Sequence, residues 1–241
     1  MPLDPEDPRR RGLLRQAACV AGAWANSRAL PALAAADVVQ HHPRSLLVDV
    51  HGVAWPARAL KTNEAFLFNY PYTASPVFVM AFEREVPATE LVTKDGRRYA
   101  APAGVGPHRS IVAFSAICAH KLMYPTAAIS FIGLRDGGRN EPAHVIHCCG
   151  DNSRYDPLRG GRVIDGPAPQ ALAAVLLEWD PASDRLYAVG TRGGEMFDAF
   201  FEKYAMKLEL DTGSGSPKPS GATVVVQPAA SFSRQWRSCS A

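Results

Sequence analysis

Two short segments bearing cysteine and histidine, each following a run of β-forming residues, constrain this chain more than any other feature. The first is Cys118-Ala119-His120, directly after Ile111-Val112-Ala113-Phe114-Ser115 and two linking residues. The second is His147-Cys148-Cys149-Gly150-Asp151-Asn152-Ser153-Arg154-Tyr155-Asp156, after Val145-Ile146. Loops leaving strand ends can meet at their tips, and soft thiolates beside imidazole suit iron–sulfur or zinc chemistry. The 241-residue chain has five cysteines, Cys19, Cys118, Cys148, Cys149 and Cys239. They are too few and too scattered for a disulfide scaffold, so a metal or redox reading takes priority.

The surrounding pattern is β. Leu46–Val50, Phe66–Tyr70 and Val77–Phe82 are apolar runs of strand length, with Pro71 and Pro76 punctuating the last two. Asp95-Gly96 predicts a hairpin turn between Leu91–Thr93 and Tyr99. Leu176–Trp179 and Leu186–Val189 predict a second hairpin around Asp180–Arg185. Many short strands at this spacing mean an antiparallel sandwich or barrel. Met196, Phe197, Phe200, Phe201 and Tyr204 recur at three- and four-residue steps, which predicts one helix packed on the sheet. Gly213–Ser220 reads as a linker and Thr223–Val226 as an added edge strand, and the last residues, with Trp236 and Cys239, read as a tail.

The two segments resemble the Rieske family, which has Cys-x-His in one loop and Cys-x-x-His in another. The second loop of that family continues Gly-Ser-x-Tyr-Asp, and a Gly-Pro-Ala-Pro stretch follows. Here Ser153-Arg154-Tyr155-Asp156 and Gly166-Pro167-Ala168-Pro169 stand in that order, and the likeness covers roughly residues 45 to 190. It implies a mainly β, Rieske-like sandwich or barrel over 45–208 with two cluster-binding loops and a short C-terminal helix. It also implies a [2Fe-2S] cluster, with Cys118 and Cys148 on one iron and His120 on the other. Registering on Ser153 and Tyr155 puts Asp151 where the family has its second histidine. Asp151 is therefore the matched fourth ligand, with His147 and Cys149 as nearby alternatives. The resemblance places the Ser153 and Tyr155 hydroxyls on cluster or cysteine sulfur. The loop-joining disulfide of the cytochrome bc branch would fall on Met123 and Gly150, so both halves are missing together. An anionic ligand in place of imidazole implies a lower potential, and quinol oxidation through an exposed second histidine is not carried over.

The N-terminal Arg10-Arg11-Gly12-Leu13-Leu14-Arg15 looks like a twin-arginine export signal, so residues 1–36 are expected to be an export signal or anchor. Its apolar stretches fall short of the roughly 20 residues that span a bilayer. Cys19 reads as a plain small apolar residue. The expected location is the periplasmic side of a bacterial inner membrane. Export in the folded state suits a cofactor inserted beforehand. Membrane association would then come through a complex or the N-terminus. With 26 basic and 23 acidic residues, the net charge of +3 offers no stripe for nucleic acid. At 47% hydrophobic and 20% charged the chain is globular rather than disordered.

The function so implied is one-electron transfer beside a cytochrome or larger oxidoreductase subunit, as a redox subunit rather than a stand-alone enzyme. A second reading is a structural subunit with a metal-free site. A third is a zinc module using Cys118, His120, Cys148 and either His147 or Cys149. A Rieske oxygenase terminal subunit is disfavoured, because the chain is short for an added catalytic iron domain.

Overall fold

The computed structural model describes residues 39–239. The twin-arginine-like segment and Cys19 lie outside the described residues. The strands are β1 (Val39–Val48), β2 (Ala65–Asn69), β3 (Pro76–Ala81), β4 (Thr89–Val92), β5 (Arg98–Ala101), β6 (Ile111–Ser115), β7 (Ile129–Ser130) and β8 (Ile132–Asp136). They continue as β9 (His144–Cys148), β10 (Ser153–Asp156), β11 (Arg162–Asp165), β12 (Ala174–Asp180), β13 (Arg185–Arg192), β14 (Thr223–Val225), β15 (Gln227–Pro228) and β16 (Gln235–Trp236). Helix α1 spans Phe197–Thr212 and the short α2 spans Ala229–Phe232.

An eight-stranded sheet runs in the order β14-β1-β13-β12-β6-β3-β2-β15, and a four-stranded sheet runs β11-β10-β9-β8. Both expected hairpins are present: Leu91 pairs with Tyr99 in one, and Trp179 with Leu186 in the other. β1 slips register between His41 and Ser45, where Pro43 has no N–H to give the ladder.

Side-chain alternation splits the core into two layers. Phe66, Phe68, Val77, Val79, Ile111 and Ala113 point to one face of the large sheet. Leu67, Phe78, Met80, Val112 and Phe114 point to the other, where they meet Ile132, Ile146 and Tyr155 of the small sheet. Every residue of β3 is buried, as expected of a central strand covered on both faces. Cys118 and Cys148 belong to this second layer, so the site grows out of the core rather than sitting on a surface loop.

Helix α1 runs further than its aromatic stripe suggested. Asp198 lies in its first turn, where an acidic group favours the N-terminus. Gly213, at φ +74°, closes its end in the left-handed conformation. The stripe Phe197, Phe200, Phe201 and Leu208 packs against Ile117, Leu122, Tyr124 and Tyr72. Its main partner is therefore the loop after β6 rather than the sheet itself. Thr223–Val225 is an edge strand as expected, paired in parallel with β1. Beyond it, residues of the stretch read as a tail also pair: β15 with β2 and β16 with β7.

Among the described residues no helix is long and apolar enough to cross a membrane.

Candidate metal centre

The first loop leaves β6 and turns tightly. The Cys118 N–H donates to the Met123 carbonyl at 2.8 Å, and the Leu122 N–H donates to the Cys118 carbonyl at 3.0 Å. Leu122 accepts a left-handed φ of +59° to make that turn. The second loop, residues 149–152, joins β9 to β10 with Cys148 opposite Ser153. Asn152 takes φ +60°, a conformation its short polar side chain tolerates. The Asp151 carboxylate accepts from the Ser153 N–H at 2.9 Å, which fixes the loop tip.

These loops bring donor atoms of Cys118, Cys148 and Asp151 within 4.8 Å of one another. Asp151 Oδ2 lies 3.2 Å from Cys118 Sγ and 3.1 Å from His120 Nδ1. The Asp151 side chain is 1% exposed, whereas the His120 side chain is 38% exposed. Tyr155 is fully buried, and its hydroxyl accepts from the Ala119 N–H at 3.2 Å and stands 3.3 Å from Cys118 Sγ. With its oxygen taken by that N–H, the Tyr155 O–H is free to donate to sulfur.

The electrostatics separate the two thiols. Cys118 is pulled below the usual thiol range: the Cys148 side chain donates to it, and that outweighs burial, with the Tyr155 hydroxyl and His120 N–H adding to the effect. Cys148 is pushed up by its bond to Cys118 and by burial. For Asp151, burial pushes upward, but the Ser153 N–H and the Cys118 side chain together hold the carboxyl below its ordinary value.

This donor set fits a cationic iron group. A desolvated carboxylate beside two buried sulfurs is met by the His120 imidazole and the Ser153 N–H, and buried anions are costly unless paired or on a metal. The carboxylate stands between the Cys118 thiol and the His120 imidazole, in contact with both. The Ser153 hydroxyl is buried and makes no hydrogen bond among the described residues, which leaves it free for a cluster or cysteine sulfur.

His147 and Cys149 do not join this group. Alternation along β9 turns His147 away from the neighbouring Cys148. Its ring, in a residue 6% exposed, stands with Cys149 and Cys239. Burial first, then Arg154 and Arg135, hold its imidazole below the usual value. Cys149 forms a disulfide with Cys239, so it is not a free ligand. The alternative that gave Cys149 to a cluster or to zinc is corrected accordingly. Sequence reasoning missed this bridge. The available signal was that Cys19, Cys149 and Cys239 remained once Cys118 and Cys148 had been assigned together, which left a bridge between two of the three open.

Two close approaches at glycines bring neighbouring segments against the loops. A Cβ on Gly150 would lie 2.6 Å from Met123 Cε, so the two positions face each other across the loops. Gly166, at φ +87°, lets its backbone approach Asn152 and Ser153, where a Cβ would meet the Ser153 Cα at 2.6 Å. Gly166-Pro167-Ala168-Pro169 therefore lies against the second loop.

No protein-family model matches the chain. Over 136 residues it is 29% identical to the iodate reductase subunit IdrB of Pseudomonas sp. (strain SCT), covering 56% of this chain and 57% of that protein. The match thus spans less than three fifths of the relative's length. The soluble domain of the Rieske protein II (soxF) from Sulfolobus acidocaldarius is 26% identical, with a TM-score of 0.44 over 64% of this chain and 82% of that one. In its ordered motifs and in the two strand-borne loops that meet at the core's edge, the chain is similar to Rieske-type iron–sulfur proteins.

Proposed function

We propose that the chain is an electron-transfer subunit of a reductase complex and holds a [2Fe-2S] cluster through Cys118, Cys148, His120 and Asp151. The observation that carries this reading is the convergence of Cys118, Cys148 and Asp151 within 4.8 Å, with His120 Nδ1 3.1 Å from the carboxylate. The cluster, when bound, supplies one-electron uptake and release. The protein's own groups tune it. Tyr155 donates toward the Cys118 sulfur, which favours the electron-rich state. Asp151 adds negative charge and favours the oxidised state, so the potential lies below that of a two-histidine centre. His120, the more exposed ligand, marks the side on which a redox partner would dock.

The likeness to an iodate reductase subunit supports a larger oxidoreductase or cytochrome as that partner. The twin-arginine-like segment in residues 1–36 supports delivery in the folded state to the periplasmic side of the inner membrane, with 45–208 as the cluster domain.

Iron analysis and EPR on the purified chain, with Asp151→Ala and His147→Ala, test the reading. About two irons per chain is the content of a [2Fe-2S] centre, and its spectrum should change in Asp151→Ala and not in His147→Ala. A change confined to His147→Ala would move the fourth ligand. Iron-free protein from anaerobic preparations would leave a structural subunit.

A further inference from the structure

The C-terminal segment touches both loops of the candidate centre. On the first-loop side, the Ser233 hydroxyl donates to the Thr126 carbonyl at 2.7 Å. The Arg234 N–H donates to the Ala127 carbonyl at 3.0 Å, and the Arg237 N–H to the Ser130 carbonyl at 2.9 Å. β16 lies parallel to β7 there, immediately downstream of the first loop. On the second-loop side, Cys239 is bonded to Cys149, next in sequence to Cys148. Between these ends the Trp236 ring covers Gly133 of β8 so closely that no Cβ fits there, and Gly133 pairs across the sheet with His147. Arg135 of β8 also donates to the Arg237 carbonyl.

Nothing covalent joins the loops directly, because Met123 and Gly150 occupy the facing positions. We propose that residues 233–239 are a strap that holds the two loops of the centre at fixed separation, hydrogen-bonded to the first and disulfide-bonded to the second. Cys149, Cys239 and Trp236 are then positioning residues: they touch no iron and act through the loops. The inference rests on the proposed cluster, but its physical content, loop separation, can be read without it.

The test uses the full chain. Peptide mapping without reductant should recover Cys149 linked to Cys239. The double variant Cys149→Ser with Cys239→Ser should keep its circular dichroism, lose iron to a chelator several-fold faster than wild type, and show shifted EPR g-values and potential. Adding Met123→Cys and Gly150→Cys to that variant, which bridges the loops directly, should restore the wild-type iron-loss rate and g-values. Unchanged iron loss and potential in the double serine variant would overturn the strap. So would failure of the rescue when mapping shows the new bridge formed. If the double variant does not fold, Trp236→Ala decides: faster iron loss supports the strap and an unchanged rate overturns it. If the wild type binds no iron, the cluster reading fails. The strap is then judged by hydrogen exchange at residues 147–152: faster in the double variant it stands, and unchanged it falls.

Discussion

At the scale of single residues, the centre depends on a few buried hydrogen bonds whose loss has a definite sign. Tyr155→Phe removes the O–H near Cys118 Sγ and orphans the buried Ala119 N–H. An unpaired buried donor costs about 1–3 kcal/mol, and the potential of the loaded protein should fall, as redox titration followed by EPR would record. An unchanged potential would mean that the hydroxyl serves only as a loop brace. Glu195 offers a pH test away from the site. Burial pushes its carboxyl up, and the Thr191 hydroxyl, at 2.6 Å, only partly opposes this. A carboxyl raised in the folded state contributes stability that is complete below its unfolded value and is lost as pH rises through the folded one. Glu195→Gln should therefore match wild type at acidic pH and exceed it in thermal midpoint near neutrality.

At the scale of elements, α1 and β8 each support one loop. Phe200 is fully buried among Tyr124, Phe201 and Tyr204, edge-on to the first two rings. Truncating such a ring typically costs about 3–5 kcal/mol. Phe200→Ala should lower the denaturation midpoint and raise hydrogen exchange in 117–124, the stretch that the helix covers. Gly133→Ala would push a methyl group into the Trp236 ring. Overpacking of this kind costs about 1–3 kcal/mol, and tryptophan fluorescence should report the ring's displacement toward solvent.

At the scale of the whole molecule, the two sheets share an apolar layer that ends in Cys118 and Cys148, so folding and site formation are one event. The Cys149–Cys239 bridge closes a separation of 90 residues. For loops of that length the chain-entropy account gives a stabilisation of about 4–5 kcal/mol. Thermal unfolding under a phosphine reductant should accordingly begin at lower temperature than under oxidising conditions. An unchanged midpoint would mean that the bridge does not constrain the unfolded chain.

Much of this was legible before any coordinates. The β runs leading into Cys118-Ala119-His120 and Cys148 specify paired loops because alternation and turn chemistry are local properties. The Asp95-Gly96 hairpin, the edge strand at Thr223–Val225 and the aromatic stripe of α1 followed from the same short-range physics. Tertiary structure alone decided which neighbours of Cys148 turn toward the site. Asp151 turns in because its carboxylate caps the Ser153 N–H, while His147 turns out by strand alternation. It alone paired Cys149 with Cys239, since a contact between chain-distant residues leaves no periodic trace in sequence. It also turned an apparent tail into a segment bonded to both loops, because composition records polarity and flexibility but not which backbone groups find partners far along the chain.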